Sequence, residues 1–269
     1  MKSKRKIFTY GILVIFLMVG SVVFTNVEED TIQTSSNSGL SNSKIEWGIK
    51  RGTNGEQPDL GNKNRQLIEK YKGMAMGNKD SKNIYVTFDL GYEAGYTENI
   101  LNTLKDNNVP SAFFITAHYV NTASDLVQRM IDDGHIIGNH TVNHKSMPNI
   151  SEVELEKELM NLHTAIYEKF NYEMKYMRPP KGEYSERSLN TTIKLGYIPV
   201  MWSFAYADWD ETKQPSHQEA IDKIVKNIHN GEIMLLHATS KTNMEILDTV
   251  IKQIRNLGYE FKSLDEFVK

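Results

Sequence analysis

Ile84-Tyr85-Val86-Thr87-Phe88-Asp89-Leu90-Gly91 is a run of β-branched and aromatic residues that stops at a carboxylate and a glycine. Such a run predicts a strand. The next two elements set the fold. Tyr96 to Asn107 carries Ile100, Leu101 and Leu104 at helical spacing, and Ala112-Phe113-Phe114-Ile115 is a second strand. Strand, helix and strand in that order make a parallel βαβ unit. The pattern then repeats: a helix near Ser124 to Asp133 is stopped by Gly134, and His135 to Asn139 reads as a short strand. Ser151 and Glu154 form a capping box that introduces a helix to Phe170. Later strands fall near Met177, from Tyr197 to Trp202, from Glu232 to Leu236 and at Glu260-Phe261. The helices between them run from Ser185 to Leu195, His217 to Asn230 and Asn243 to Leu257. About seven such strands in one domain predict an α/β fold with barrel-like closure, in which chemistry collects beyond the C-terminal strand ends.

Upstream of this domain, at 83–269, residues 45–82 contain Trp47 and a helix around Arg65 to Tyr71, and read as an ordered lead-in without chemistry of its own. Residues 27–44 are polar and serine-rich, which predicts a flexible spacer. Within 1–26, Lys2, Lys4, Arg5 and Lys6 precede an uncharged apolar run from Ile7 to Thr25. That run is long enough to cross most of a bilayer and lacks a small-residue cleavage exit, so it predicts a signal anchor in preference to a cleaved signal peptide. Either places the body outside the cytoplasm. The 269 residues carry a net charge of -3 with the basic residues dispersed, which gives no surface for nucleic acid. The absence of cysteine excludes disulfides, thiolate metal sites and a cysteine nucleophile. A monomer is expected.

Five segments carry candidate chemistry. His140 and His144, four residues apart, would share one face of a helix and converge on a divalent cation. Spacing alone equally allows one packed and one solvated histidine. Asp89 at a strand end suits a base or a ligand, or a turn before Gly91. Arg178 precedes Pro179-Pro180, a rigid support or merely a stiff loop. Asp208, beside Trp209, could orient Arg178 or be a solvated loop residue. His237 ends the apolar run Leu235-Leu236, where it is either a buried neutral imidazole or a proton donor in a dry pocket.

Taken in order, Thr87-Phe88-Asp89, His140-Thr141-Val142-Asn143-His144, Arg178-Pro179-Pro180, Asp208-Trp209 and Leu235-Leu236-His237 resemble the polysaccharide deacetylase superfamily from Lys82 to the C-terminus. The resemblance implies a distorted (β/α) barrel that hydrolyses N-acetyl groups from amino sugars with a divalent metal, zinc first, cobalt or manganese as alternatives. It implies Asp89 as catalytic base, His140 and His144 as metal ligands, and Arg178 and Asp208 as the pair that orients the base and its neighbours. His237 is then the general acid, and Leu235, Trp209 and Tyr184 line the substrate pocket. The segments Thr87 to Thr97 and Leu236-His237-Ala238-Thr239-Ser240 are most similar to delta-lactam-biosynthetic de-N-acetylases. That implies action on N-acetylmuramic acid in spore-cortex peptidoglycan during sporulation, by an enzyme anchored in the membrane or secreted to the cell wall. An N-acetylglucosamine deacetylase and a non-catalytic glycan-binding module are the alternatives. There is one departure: the superfamily's usual third metal ligand, a second aspartate, is here Leu90. Water, Asp89 or Glu93 would have to complete the set, and a weakly held metal is expected.

Overall fold

A computed structural model describes residues 39–269. The apolar segment at 1–26 and most of the 27–44 spacer lie outside the described residues. No helix among the described residues is long and apolar enough to cross a membrane. The end of the predicted spacer is docked on the domain. Arg187 N donates to Ser41 O at 3.0 Å, and Asn42 bonds Pro148 O and Ser185 Oγ. Arg187 sits in a first helical turn, whose N–H groups have no partner within the helix, so a polar segment is held there.

The lead-in supplies strand β1 (Ile45–Glu46) and helix α1 (Asn62–Lys70). The domain then runs β2 (Asn83–Leu90), α2 (Thr97–Asp106), β3 (Ser111–Ile115), α3 (Ala117–Thr122), α4 (Ser124–Asp132) and β4 (Ile136–Asn139). It continues α5 (Glu152–Phe170), β5 (Tyr176–Met177), β6 (Glu183–Tyr184), α6 (Glu186–Lys194) and β7 (Ile198–Pro199). Last come α7 (His217–Lys226), β8 (Glu232–His237), α8 (Lys241–Asn256) and β9 (Glu260–Phe261). Helix α3 has no counterpart in the sequence pattern: it is six residues long, too short for an amphipathic signal, and starts where the Thr116 side chain accepts from Tyr119 N. At α5 only half of the expected capping box forms. Ser151 Oγ accepts from Glu154 N, while the Glu154 carboxylate turns to Lys145 at 2.7 Å.

β6 pairs antiparallel with β1. The other seven strands form one curled parallel sheet in the order β7-β5-β4-β3-β2-β8, with β9 against the start of β2. The expected barrel closure is a short bridge. The chain leaving β7 crosses to β8, where Ser203 N donates to Ile233 O at 3.0 Å and Leu235 N to Phe204 O at 2.9 Å. Just before the bridge, Val200 N and Met201 N donate to Met177 O and Met74 O, and the carbonyls of both accept from the Arg178 side chain. Under the bridge, His229 Nε2 is 2.9 Å from Ser203 Oγ, and His229 Nδ1 is 3.1 Å from Glu232 Oε2.

Alternation along each strand sorts the side chains into two layers. Ile84, Val86, Phe88 and Leu90 of β2 pack outward in the cluster that holds Ile100, Leu101 and Leu104 of α2. Tyr85 joins Phe114, Ile136, Tyr176 and Ile233 in the inner cluster. Two residues further along each strand, the inner positions become Thr87, Thr116, Gly138, Arg178 and Leu235. One step more on β2, β4 and β8 gives Asp89, His140 and His237. Asp89, His140, Arg178, Leu235 and His237 thus occupy the last inward positions of the sheet, while His144, Asp208 and Trp209 come from loops beyond it.

The Ser203–His229–Glu232 contact fastens the bridge that closes the sheet, and all three residues are at most 2% exposed. Replacing His229 with alanine leaves Glu232 buried without its cation. We expect the His229→Ala protein to lose about 3–5 kcal/mol of unfolding free energy, read from the denaturant midpoint by circular dichroism.

Candidate active site

The strand ends open into a cleft of about 920 Å³ lined by Asp89, His140, His144, Leu235, His237 and Trp209, among others. Arg178 lies behind its floor with no exposed surface. Its Nη1 donates to Asp89 Oδ1 at 2.7 Å, and its Nε and Nη2 donate to Val200 O and Met201 O at 3.1 and 3.2 Å. The guanidinium sits 4.2 Å from the Phe114 ring centroid. Gly138 makes room for that ring, because a Cβ there would come within 2.4 Å of it. Burial alone would raise the pKa of Asp89; Arg178, with His140 and His237, outweighs it and holds the carboxyl below its ordinary value.

His140 and His144 do not lie on a helix as their spacing suggested. The chain beyond β4 is irregular, with Thr141 at φ 66° and His144 at φ 54°. The two rings nevertheless converge, with the Nε2 atoms 3.1 Å apart. Two left-handed residues turn the loop back on itself, and α5 holds it there. Glu158 accepts from Asn143 N and Nδ2, both at 2.7 Å, and its carbonyl accepts from Val142 N at 3.0 Å. Asn139 braces the start, accepting from Thr141 N and donating to Leu159 O. Neither Asn139 nor Glu158 is among the residues singled out from the sequence. Glu158 could have been, since it lies on the apolar face of α5 with Leu155, Leu159, Leu162 and Ile166; a carboxylate at such a position needs a partner.

The donor chemistry of the pair suits a divalent ion. The His140 Nδ1–H donates to the Arg178 carbonyl at 2.9 Å, which leaves the Nε2 lone pair facing the cleft. Burial lowers the pKa of both imidazoles, and that of His144 falls to about 4, so both are neutral at pH 7. Two imidazole nitrogens on one tetrahedral zinc lie about 3.3 Å apart, close to the separation here. Asp89 Oδ2 is the neighbouring carboxylate, 3.6 Å from His140 Nε2. Among the described residues no three His, Asp or Glu groups gather as a closed ligand cage. Leu90 points into the outer core, and Glu93 cannot substitute: its carboxylate accepts from Tyr119 OH at 2.8 Å and Gly95 N at 2.6 Å.

Across the cleft Asp208 takes a different partner from the one expected. It orients His237, not Arg178, whose Nη1 is turned to Asp89 and whose Nε and Nη2 are turned to backbone carbonyls. Asp208 Oδ1 is 2.7 Å from His237 Nδ1, and its Oδ2 accepts from His237 N at 2.8 Å and Asn243 Nδ2 at 2.6 Å. Tyr206 OH in turn donates to Asn243 Oδ1. Burial by itself would lower the pKa of His237, but the Asp208 carboxylate overrides it and holds the imidazole above its ordinary value. Asn243 and Tyr206 carry no sequence signal. Leu235 lines the cleft floor at 4% exposure, and the exposed Trp209 ring stands edge-on to His237 at 5.9 Å. Tyr184 does not reach the cleft. It lies on β6, fully buried in the lead-in core beside Trp47, with its OH donating to Asn64 Oδ1 at 2.7 Å.

Residues 76–200 match the family model described as polysaccharide deacetylase. The chain is 41% identical over 228 residues to the peptidoglycan-N-acetylmuramic acid deacetylase PdaA of Bacillus subtilis, covering 84% of this chain and 87% of that protein. The solved PdaA structure superposes with a TM-score of 0.82 over 85% of this chain and 98% of that one. A family 4 carbohydrate esterase from Bacillus anthracis, 40% identical, gives a TM-score of 0.72 over 85% and 97% of the two chains.

Titration with Co2+ tests the histidine pair without any assay of turnover. The wild-type protein should develop visible ligand-field absorption, and His140→Ala and His144→Ala should each weaken Co2+ binding by more than about 100-fold. Equal affinity in all three proteins would remove the pair from the metal site.

Proposed function

The chain belongs to the polysaccharide deacetylase family, and on that footing we propose that it hydrolyses the N-acetyl group of N-acetylmuramic acid in peptidoglycan, as a step towards muramic delta-lactam in spore cortex. Deacetylation by hydrolysis is the activity of the family and of this chain, with peptidoglycan as the glycan. The observation that carries the muramic reading is the 41% identity to an N-acetylmuramic acid deacetylase across 84% of the chain. A cell-wall substrate lies outside the cytoplasm, which agrees with a basic and apolar N-terminal run acting as an anchor.

Family members are metal-dependent. His140 and His144 would hold a divalent ion, zinc in this proposal, which when bound would supply Lewis-acid polarisation and a more acidic water. The side chains do the rest. Asp89, kept ionised by Arg178, accepts a proton as water oxygen bonds to the acetamide carbon. His237 faces it with Nδ1–H committed to Asp208, so the proton it delivers comes from Nε2. That proton goes to the sugar nitrogen as the C–N bond breaks, leaving a free amine and acetate. Leu235 gives the acetyl methyl an apolar wall, and Trp209 offers a flat rim for a sugar ring.

Acetate release separates the possible substrates. Muramyl glycan strands should yield acetate, and chitooligosaccharides little. Acetate from chitooligosaccharides alone would reassign the enzyme to N-acetylglucosamine, and none from either with zinc or cobalt added would make the chain a binding module.

The acid can be tested by its pH profile. His237 is active when protonated, and Asp208 raises its pKa, so activity persists to higher pH than an ordinary histidine allows. Removing the charge with Asp208→Asn should shift the alkaline limb of kcat/KM to lower pH and cost about 10²-fold or more in kcat. An alkaline limb that stays in place would exclude His237 as the acid.

A further inference from the structure

Apart from Asp89, the cleft wall carries a single Lys, Arg, Asp or Glu side chain, Lys181. Asp89 has its counter-charge in Arg178. Lys181 makes no hydrogen bond and no ion pair among the described residues; its carboxylate neighbour Glu183 feels its charge only through space and is bonded by Lys44 at 3.2 Å. It is exposed, and it shares its wall with His144 and Trp202. Lys181 therefore places a positive charge at one rim of the cleft.

The backbone at this position is unusual. Lys181 has φ 59° and ψ 8°, a left-handed conformation that glycine adopts with less strain. Gly182 comes next at φ 66° and is obligatory, since a Cβ there would lie 2.8 Å from the Trp202 ring and 2.9 Å from Trp47 Cβ. The lead-in locks this turn from behind, with Trp47 N donating to Gly182 O at 2.9 Å and the Trp47 indole to Trp202 O at 2.9 Å. An unpaired cation is thus held on a strained but fixed support beside the histidine pair.

A sugar whose 2-acetamido group sits between the histidines and Leu235 places its O3 substituent at the neighbouring carbon. In N-acetylglucosamine that substituent is a hydroxyl. In N-acetylmuramic acid it is a lactyl ether, which ends in a carboxylate or in a peptide stem bearing carboxylates. We propose that Lys181 is the residue that selects muramic over glucosamine units, by pairing with a carboxylate on the O3 substituent. This rests on the muramic reading above. An ion pair in a partly dry cleft contributes more than one on an open surface.

The test compares wild-type protein with Lys181→Met, Lys181→Arg and Lys181→Gly on stem-free muramyl glycan, the same glycan with its lactyl carboxyl methyl-esterified, and stem-bearing glycan. Lys181→Met should raise KM about tenfold on the carboxylate-bearing substrate with a smaller change in kcat, and Lys181→Arg should restore most of it. Lys181→Gly, whose backbone is unstrained at this turn, should show the same KM rise and so exclude misfolding as the cause. Esterification should raise the wild-type KM by a similar factor. A rise confined to stem-free glycan assigns the lactyl carboxylate; one confined to stem-bearing glycan assigns a carboxylate of the stem. Wild-type activity on muramyl glycan with an unchanged KM in Lys181→Met and Lys181→Gly overturns the role of Lys181 and leaves the muramic reading standing. Wild-type activity on chitooligosaccharides alone overturns both.

Discussion

Arg178, fully buried, holds the site together. Its guanidinium bonds the Asp89 carboxylate on β2 and the carbonyls of Val200 and Met201 beyond β7, while its own carbonyl accepts from the His140 ring on the far side. Three segments are thereby set relative to one residue. A charge with no exposed surface is costly unless its donors are filled and an anion faces it. Here each of the three guanidinium nitrogens has a hydrogen-bond partner and Asp89 faces the charge, and the Phe114 face adds a cation–π contact at 4.2 Å. The absence of a side chain at Gly138 belongs to the same arrangement, since the ring under Arg178 occupies that volume.

The cleft treats one residue type in two opposite ways. On one wall, burial outweighs the pull of the Asp89 carboxylate, strips His140 and His144 of their protons and leaves lone pairs free for a cation. On the other, the Asp208 carboxylate, bonded by the His237 ring at Nδ1 and fixed by the His237 backbone N–H, favours a proton on the imidazole. Asp208 is anchored by Asn243, so the acid side is built from β8, α8 and the loop before α7, and the base side from β2, β4 and β5. Acid and base are neighbours because β2 and β8 pair in parallel with Asp89 opposite His237.

Much of this is legible in the sequence because strand alternation is a short-range property. Once Ile84 to Asp89 is read as a strand, Asp89 must fall on the side opposite Leu90, and the same count places His237 with Leu235. The partners are less legible. Sequence reading matches Asp208 to Arg178, yet it bonds His237, since nothing in a linear spacing records which strand edge a loop returns to. The spacing of the histidine pair suggests a helix; the rings converge instead through two left-handed residues stabilised by Glu158, a tertiary contact from a helix that begins eight residues after His144. Tyr184, expected in the pocket, lies in the lead-in core, because β6 turns away to pair with β1.

The central strand has a consequence for how the enzyme comes into being. β2 is flanked by β8, and the Thr87 hydroxyl bonds Met234 O across 147 residues of chain. Pairings of that range close late, because the loop must be ordered before the contact is gained. The base, the histidine pair and the arginine all precede β8, yet none faces an acid until that strand docks. The site is therefore complete only once β8, close to the end of the domain, has paired with β2.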